Sequence, residues 1–314
     1  MTLKNLQIGI DLGGTFIKGG IVNDSGDMIA KGQIETQVEL GVQTIAKNIS
    51  ILCENLIEQA KVEKDQIKGV GIGSPGLIDS AEGVIIFAGN LGFDHTPLAK
   101  MVEDLIELPV KITNDANAAA LGEASFGAGK KYHDSVFVTL GTGVGGGIVI
   151  NNKLFEGNKS AGAEIGHMVI VADGEPCTCG LNGCFEAYAS ATALIRDTKH
   201  AMINNKNSLM WEVGIDNVNG KTPFDYCEKD ETAKQVVDNY IKMLSLGLIN
   251  IANIFRPQAI IIGGGISNQP IIEKPLYNIV NAKKIGGDKG PEVKVLIATL
   301  KNDAGTYGAA ALWL

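Results

Sequence analysis

Three cysteines stand within eight positions, at Cys177, Cys179 and Cys184, and His167 precedes them. Three thiolates and one imidazole make a closed tetrahedral zinc site, which orders a loop rather than activating water. Gly180 and Gly183 suit the turns that fold such a knuckle, and the C-x-C-G-x-x-G-C spacing favours zinc over three buried thiols beside a surface histidine. Clustered thiols in a reducing compartment serve metals rather than disulfides. Cys53 and Cys227 are isolated and read as buried hydrophobes. Glu164, His167 and Glu186 flank the knuckle; pinned by a metal they could hydrogen-bond sugar hydroxyls, and taken singly each reads as a surface charge.

Two glycine-rich stretches could cradle phosphate. In Asp11-Leu12-Gly13-Gly14-Thr15-Phe16-Ile17-Lys18, the glycines permit a turn whose N–H groups face an anion, Thr15 adds a hydroxyl and Lys18 a counter-charge. Asp11 could hold Mg2+ directly or through water, since that ion takes one or two carboxylates plus waters. An ordinary glycine hairpin turn reads equally well. Gly141-Thr142-Gly143-Val144-Gly145-Gly146-Gly147 formally contains G-x-G-x-x-G after a strand. A dinucleotide fingerprint needs a helix next and an acid about 20 residues on, whereas Ile148 to Asn152 reads as strand and turn. A phosphate-cradling hairpin fits better. Asn114-Asp115 ends a strand and opens a helix. A carboxylate there can take a proton from a substrate hydroxyl, or cap the helix, and one residue can do both. No Walker A sequence and no nucleophile elbow is present, and four histidines leave little material for histidine triads.

The elements that must position these residues follow from periodicity. Residues 7–11, 16–22 and 28–34 read as a β-meander with a turn at 23–27. Residues 42–60 carry apolar positions at helical spacing, from Val42 through Ile45, Ile49 and Leu52 to Ile57. A buried strand at 69–73 runs into Ser74-Pro75-Gly76, a helix covers 98–106, a strand 110–113 and a helix 116–126. The second half opens in the same way, with a strand at 135–140, the glycine loop at 141–147 and a return strand from 148 to 150, which suggests an internal duplication split near residue 114. Thr222-Pro223-Phe224-Asp225 carries a helix start with Thr222 as its cap. A long helix at 232–255, a strand at 259–262 ending in Gly263-Gly264-Gly265, and a closing helix at 303–314 complete the chain.

The bulk numbers bound the function. The chain has 314 residues, 45% of them hydrophobic and 20% charged, enough for two lobes of one enzyme. Forty glycines, many clustered after apolar runs, let backbone approach a ligand closely. A net charge of −8, with basic residues no denser than the pairs Lys130-Lys131 and Lys283-Lys284, argues against a nucleic-acid surface. No apolar run approaches the roughly 20 residues of a membrane span, and Met1 to Gln7 has no signal-peptide core. The expected location is the cytoplasm.

Taken together these residues resemble the ROK family of bacterial sugar kinases and repressors. The resemblance runs nearly end to end through Asp11-Leu12-Gly13-Gly14-Thr15, Gly71-Ile72-Gly73-Ser74-Pro75-Gly76, Asn114-Asp115-Ala116-Asn117-Ala118-Ala119, Leu140 to Gly147, Glu164-Ile165-Gly166-His167, the knuckle through Glu186, and Gly263-Gly264-Gly265. It implies a two-lobed actin/hexokinase-like (ribonuclease H-like) α/β fold with the active site in the cleft between lobes. The smaller lobe would take residues 1–113, completed by the helix at 303–314, and the larger one 114–302 with the zinc knuckle. It also implies roles. Asp115 would be the general base. Asn90, Asn114, Asp115, Glu164, His167 and Glu186 would hold the sugar, with His167 also binding zinc beside Cys177, Cys179 and Cys184. The loops at Asp11, Gly13, Gly14, Thr15 and Lys18 and at Gly141, Thr142 and Gly143 would hold the phosphates of ATP with Mg2+, and Gly264 and Gly265 would lie by the adenosine. A homodimer is implied as well. Glucokinase-like members carry a Trp shortly after the asparagine matching Asn90; here Leu91-Gly92-Phe93 follows. The leading expectation is glucose phosphorylation at the 6-hydroxyl. An N-acyl-hexosamine kinase, a fructokinase and a non-catalytic sugar sensor are the alternatives. The repressors of the family carry an N-terminal helix-turn-helix, and a phosphate loop beginning at Asp11 leaves no room for one.

Overall fold

The computed structural model describes residues 5–314. Its contacts group into two units. One comprises the chain up to Phe137 with Gly147–Ala163 and Thr299–Leu314, the other Val138–Gly146 with Glu164–Ala298.

The first unit begins with the expected meander, β1 (Leu6–Leu12), β2 (Phe16–Asn23) and β3 (Met28–Glu35), and the helix α1 (Val42–Ala60). Next come β4 (Ile67–Ser74), a small sheet of β5 (Leu77–Asp79), β6 (Val84–Ala88) and β7 (Phe93–Thr96), then α2 (Leu98–Ile106), β8 (Val110–Asn114) and α3 (Asp115–Ser125). The main sheet has the order β3-β2-β1-β4-β8, with β1 antiparallel to β2 and parallel to β4. Apart from Asp11, β1 is buried throughout, as a central strand covered on both faces must be. Successive residues alternate between faces. Leu52 and Leu56 of α1 lie over Gly19 and Gly32 on one face. Against the other face packs α9 (Ala304–Ala311), seated directly on backbone: a Cβ at Gly9 would fall 1.9 Å from the Thr306 carbonyl oxygen, and one at Gly71 1.8 Å from that of Ala309. Gly308 of α9 is equally tight against α3, where an added Cβ would lie 1.5 Å from the Ala118 carbonyl oxygen. Backbone on both sides leaves nothing to repack. Gly308→Ala should therefore destabilise the protein by roughly 3 kcal/mol or more, read as a lowered midpoint of thermal or urea unfolding; an unchanged midpoint would refute this packing.

The second sheet contains β9 (Ser135–Leu140), β10 (Val144–Ile150), β11 (Lys153–Phe155), β12 (Ala259–Gly263) and β13 (Lys294–Ile297), in the order β11-β10-β9-β12-β13. This repeats the order of the first sheet strand for strand. The antiparallel β10–β11 pair matches β2–β3, and the parallel β12–β13 pair matches β4–β8. The suspected duplication is thus real in topology, with its second copy opening at β9. Between β11 and β12 come α4 (Glu186–Ala189), α5 (Ala191–Asn204), α6 (Thr222–Tyr226) and α7 (Glu231–Ile254), and α8 (Glu273–Lys283) precedes β13. Asp230 caps α7 by accepting the Thr232 amide at 2.8 Å, and Gly247 lets that helix press onto the buried Phe185 ring.

Most expected elements stand within a residue or two of their sequence ranges, with α1, α2 and β9 coinciding. Thr222 is not a helix cap. Lys221 takes that position and the Thr222 hydroxyl instead accepts the Asn219 amide at 3.0 Å, closing the turn before α6. The lobe boundary placed at 113/114 falls inside the first unit, because α3 packs along α9. No helix among the described residues is long and apolar enough to cross a membrane.

Candidate active site

The first unit gathers Asp11, its glycine turn and Asp115. Asp11 faces Lys18 across the β1–β2 hairpin. The turn is closed by the Gly13 amide donating to the Phe16 carbonyl at 3.0 Å, and Thr36 clasps it from outside, its hydroxyl donating to Gly13 O at 2.7 Å and its amide to Thr15 O at 3.0 Å. The amides of Gly14 and Thr15 have no protein partner among the described residues, which is the arrangement an anion cradle requires. Gly305 at the head of α9 abuts the Asp11 carboxylate; a Cβ there would stand 2.9 Å from its Cγ. Lost hydration raises the Asp11 carboxyl above the ordinary aspartate range. Lys18 works against that rise, while the negative charges of Asp115 and Asp303 add to it. Removing solvent and adding like charge both disfavour a bare carboxylate, and a divalent cation would relieve both.

Asp115 sits at the first position of α3. Asn114 caps that helix, accepting the amides of Ala116 at 2.9 Å and Asn117 at 3.4 Å, while its side-chain nitrogen donates to Gly76 O at 3.2 Å. The cap is therefore Asn114, and Asp115 is free for other work. Its Oδ1 accepts the Ala116 amide at 2.8 Å. Although its surface reaches solvent, the surrounding protein withholds enough hydration to raise the carboxyl, against the pull of the Ala116 and Asp115 amides and the Asn114 side chain. Asn90 lies exposed in the turn after β6. Leu91 and Phe93 beside it are fully buried, so neither offers a ring or chain to a ligand next to Asn90.

The second unit gathers the other residues. Gly141 to Gly143 join β9 to β10. The Gly141 amide is spent on Gly143 O at 3.0 Å and the Val144 amide on Glu186 Oε2 at 3.0 Å. That leaves the amides of Thr142 and Gly143 without a protein partner among the described residues. The first turn of α5 holds the loop's carbonyls: Ala191 N donates to Gly141 O at 2.8 Å, and Thr192 Oγ1 to Thr142 O at 2.7 Å. Gly264, at φ +84°, lies against Leu140 so closely that a Cβ would fall within 2.6 Å of its backbone. Gly265, which follows, opens onto free space. Glu186 and Thr192 were not legible as loop supports in the sequence; the one available signal was the glycine at 143, where a Cβ would lie 2.3 Å from Glu186 Oε2.

Cys177, Cys179, Cys184 and His167 converge, with their four ligand atoms all within 4.8 Å of one another. Cys177 Sγ is 3.6 Å from His167 Nδ1, and Cys179 Sγ 3.6 Å from Cys184 Sγ. A zinc ion at about 2.3 Å from each sulfur sets tetrahedral edges of about 3.8 Å, so the donor set fits that ion. Burial, and then the two neighbouring thiols, push the Cys184 thiol up to about 12. A bound cation reverses that by holding all three as thiolates. A single turn of 3-10 helix over Ile165–His167, closed by His167 N donating to Glu164 O at 3.1 Å, delivers the histidine and leaves Glu164 exposed beside it.

Residues 7–314 match the ROK family. The chain is 36% identical over 320 aligned positions to a glucokinase of Streptomyces coelicolor, covering 98% of this chain and 97% of the relative. Among solved structures it resembles a ROK family glucokinase from Streptomyces griseus in complex with glucose and AMPPNP, at a TM-score of 0.77 and 36% identity over 98% of this chain and 99% of that one. It is also 31% identical to a xylose repressor of Caldicellulosiruptor bescii, over 97% of this chain and 77% of the repressor.

Proposed function

The chain belongs to the ROK family, with the mixed α/β fold of that family's two-domain sugar kinases, and from this we propose that it phosphorylates the 6-hydroxyl of a hexose with ATP, converting glucose to glucose 6-phosphate. The observation that carries the proposal is Asp115, a carboxylate of raised pKa whose helix is already capped by its neighbour. The glucokinase relatives supply the choice of substrate.

In this reading Asn90, Asn114, Glu164, His167 and Glu186 orient the sugar, and Asp115 accepts the proton of its attacking hydroxyl. The free amides of Gly14, Thr15, Thr142 and Gly143 bind phosphate oxygens, Lys18 adds positive charge, and Gly264 and Gly265 border the adenosine. Asp11 holds Mg2+, which when bound neutralises charge on the transferring phosphoryl group. His167, Cys177, Cys179 and Cys184 hold a structural zinc, which when bound orders the knuckle. Catalysis is then chiefly positioning and electrostatic stabilisation. The protein acts in the cytoplasm as a homodimer, on small molecules rather than nucleic acid or membrane.

A second reading, a sugar sensor without turnover, is favoured by the match to a xylose repressor. One experiment separates them: ADP release from Mg-ATP with glucose, mannose, fructose, N-acetylglucosamine, N-acetylmannosamine and xylose. Glucose should give the highest kcat/KM. Preference for an N-acyl sugar would keep the kinase and change its substrate. Sugar binding without ADP release would establish the sensor.

A further inference from the structure

Glu186 bridges two parts of the second unit, the glycine loop and the cysteine knuckle. Its Oε2 accepts the Val144 amide at the exit of the glycine loop, at 3.0 Å, and its Oε1 accepts the Thr178 hydroxyl at 3.1 Å. Thr178 lies between two of the metal-ligating cysteines. The approach is built into the chain, because only glycine at 143 admits the carboxylate. We propose that Glu186 is a positioning residue for the nucleotide loop, and that metal in the knuckle, acting through Thr178 and Glu186, sets the affinity for the nucleotide. This rests on the kinase reading above and goes beyond it, since sugar contact alone would not require Glu186 to grip the loop.

The physical argument is one of spent and free donors. The Gly141 and Val144 amides are tied down, and the Thr142 and Gly143 amides between them have no protein partner among the described residues. Release of Val144 frees the loop to turn, and the two unpartnered amides lose their fixed placement. A carboxylate with one oxygen unanchored also leaves negative charge free to swing beside a phosphate. The Thr178 hydroxyl holds that oxygen at 3.1 Å, with the Cys177 sulfur further off at 3.8 Å. Its own place depends on the knuckle, where Cys177 N to Leu181 O at 2.8 Å, Gly180 N to Cys177 O at 3.0 Å and Gly183 N to Glu175 O at 2.8 Å close the turn, and a bound metal would pin the cysteines on either side of Thr178. With the metal gone the turn keeps its backbone bonds, but the cysteine side chains flanking Thr178 lose their common anchor and the hydroxyl is held less firmly against Glu186.

The test uses the full-length, metal-loaded protein and the variant Thr178→Val, which keeps every metal ligand and nearly the same shape. Metal content and melting temperature should be unchanged. The dissociation constant for Mg-AMPPNP, measured by calorimetry, should rise roughly five- to tenfold, the size of one typical hydrogen bond lost from the support of the loop. Glucose affinity should fall by less than nucleotide affinity, because Glu186 is one of the five residues that orient the sugar and the other four are untouched, a split that a general structural defect would not produce. Amide exchange in the segment 141–146 should speed up with no nucleotide present. Chelating the metal from the wild type should speed the same exchange, and should add little to it in Thr178→Val. Unchanged exchange at 141–146 in both the variant and the chelated wild type would overturn the proposal. If the wild type bound no Mg-AMPPNP, the kinase reading would fall and the exchange measurement alone would still decide the tether.

Discussion

Asp115→Asn should lower kcat by about 10²- to 10⁴-fold, the range a positioned general base contributes, with the dissociation constant for sugar changed by no more than a few-fold. The substitution is nearly isosteric, and an asparagine oxygen can still accept the Ala116 amide that Asp115 now accepts at 2.8 Å. The cap of α3 belongs to Asn114 and is untouched, so the fold should hold. What disappears is the group that takes the proton. The wild-type enzyme should also show an acid limb in kcat above the ordinary aspartate range. Asp115 must be ionised to act, and lost hydration raises its carboxyl, so activity falls as pH falls through that raised value. In the variant this limb should vanish. Turnover within tenfold of wild type would remove Asp115 from the role of base.

Cys184→Ser should strip the knuckle of its metal and lower the melting temperature sharply. Cys184 is the most buried of the three thiols, and a serine hydroxyl is no substitute for a thiolate on zinc. In small domains the binding of a structural zinc is worth on the order of 10 kcal/mol of folding free energy. A larger protein will not lose all of that, because Phe185 and Ile165 still anchor the segment carrying His167 and Glu186, but the turn between the cysteines loses its anchor. Cys53→Ala supplies the control. That thiol is also buried and also raised to about 12, yet it stands apart from any ligand cluster and its variant should keep one metal per chain. Elemental analysis with a thermal melt decides the matter, and a Cys184→Ser protein with full metal content would end the tetrahedral assignment.

The parts of the site that could be read from sequence are those whose partners lie close along the chain. The cysteine spacing, the Gly13-Gly14 turn, and the Asn114-Asp115 pair at the start of a helix all declare themselves within ten residues. Glu186 could be named as a polar residue near the knuckle, but its hold on Val144 spans 42 residues and leaves no local pattern. The sheet of β5, β6 and β7 was missed because strands of three to five residues are too short to establish alternation. The extent of the first contact unit is not legible in the sequence for a different reason. The contact of α3 with α9 is made by glycine and alanine backbone, and such residues carry almost no hydrophobic periodicity to betray which face is buried.

The seating of α9 has a bearing on how the protein is made. Gly9 and Gly71 expose a bare strip of sheet that only α9 fills, and the second unit lies between that strip and the helix in chain order. A ribosome adding 5–20 residues per second therefore leaves the strip uncovered for roughly ten to fifty seconds. During that interval the nascent first unit presents an unfinished apolar face, while the stretch from Glu164 to Ala298 emerges beside it. The last turns of helix act as the closing piece of the half that was begun first. A polypeptide released before residue 304 would be left with that half permanently open, a substrate for chaperones and proteases rather than a slightly shortened enzyme.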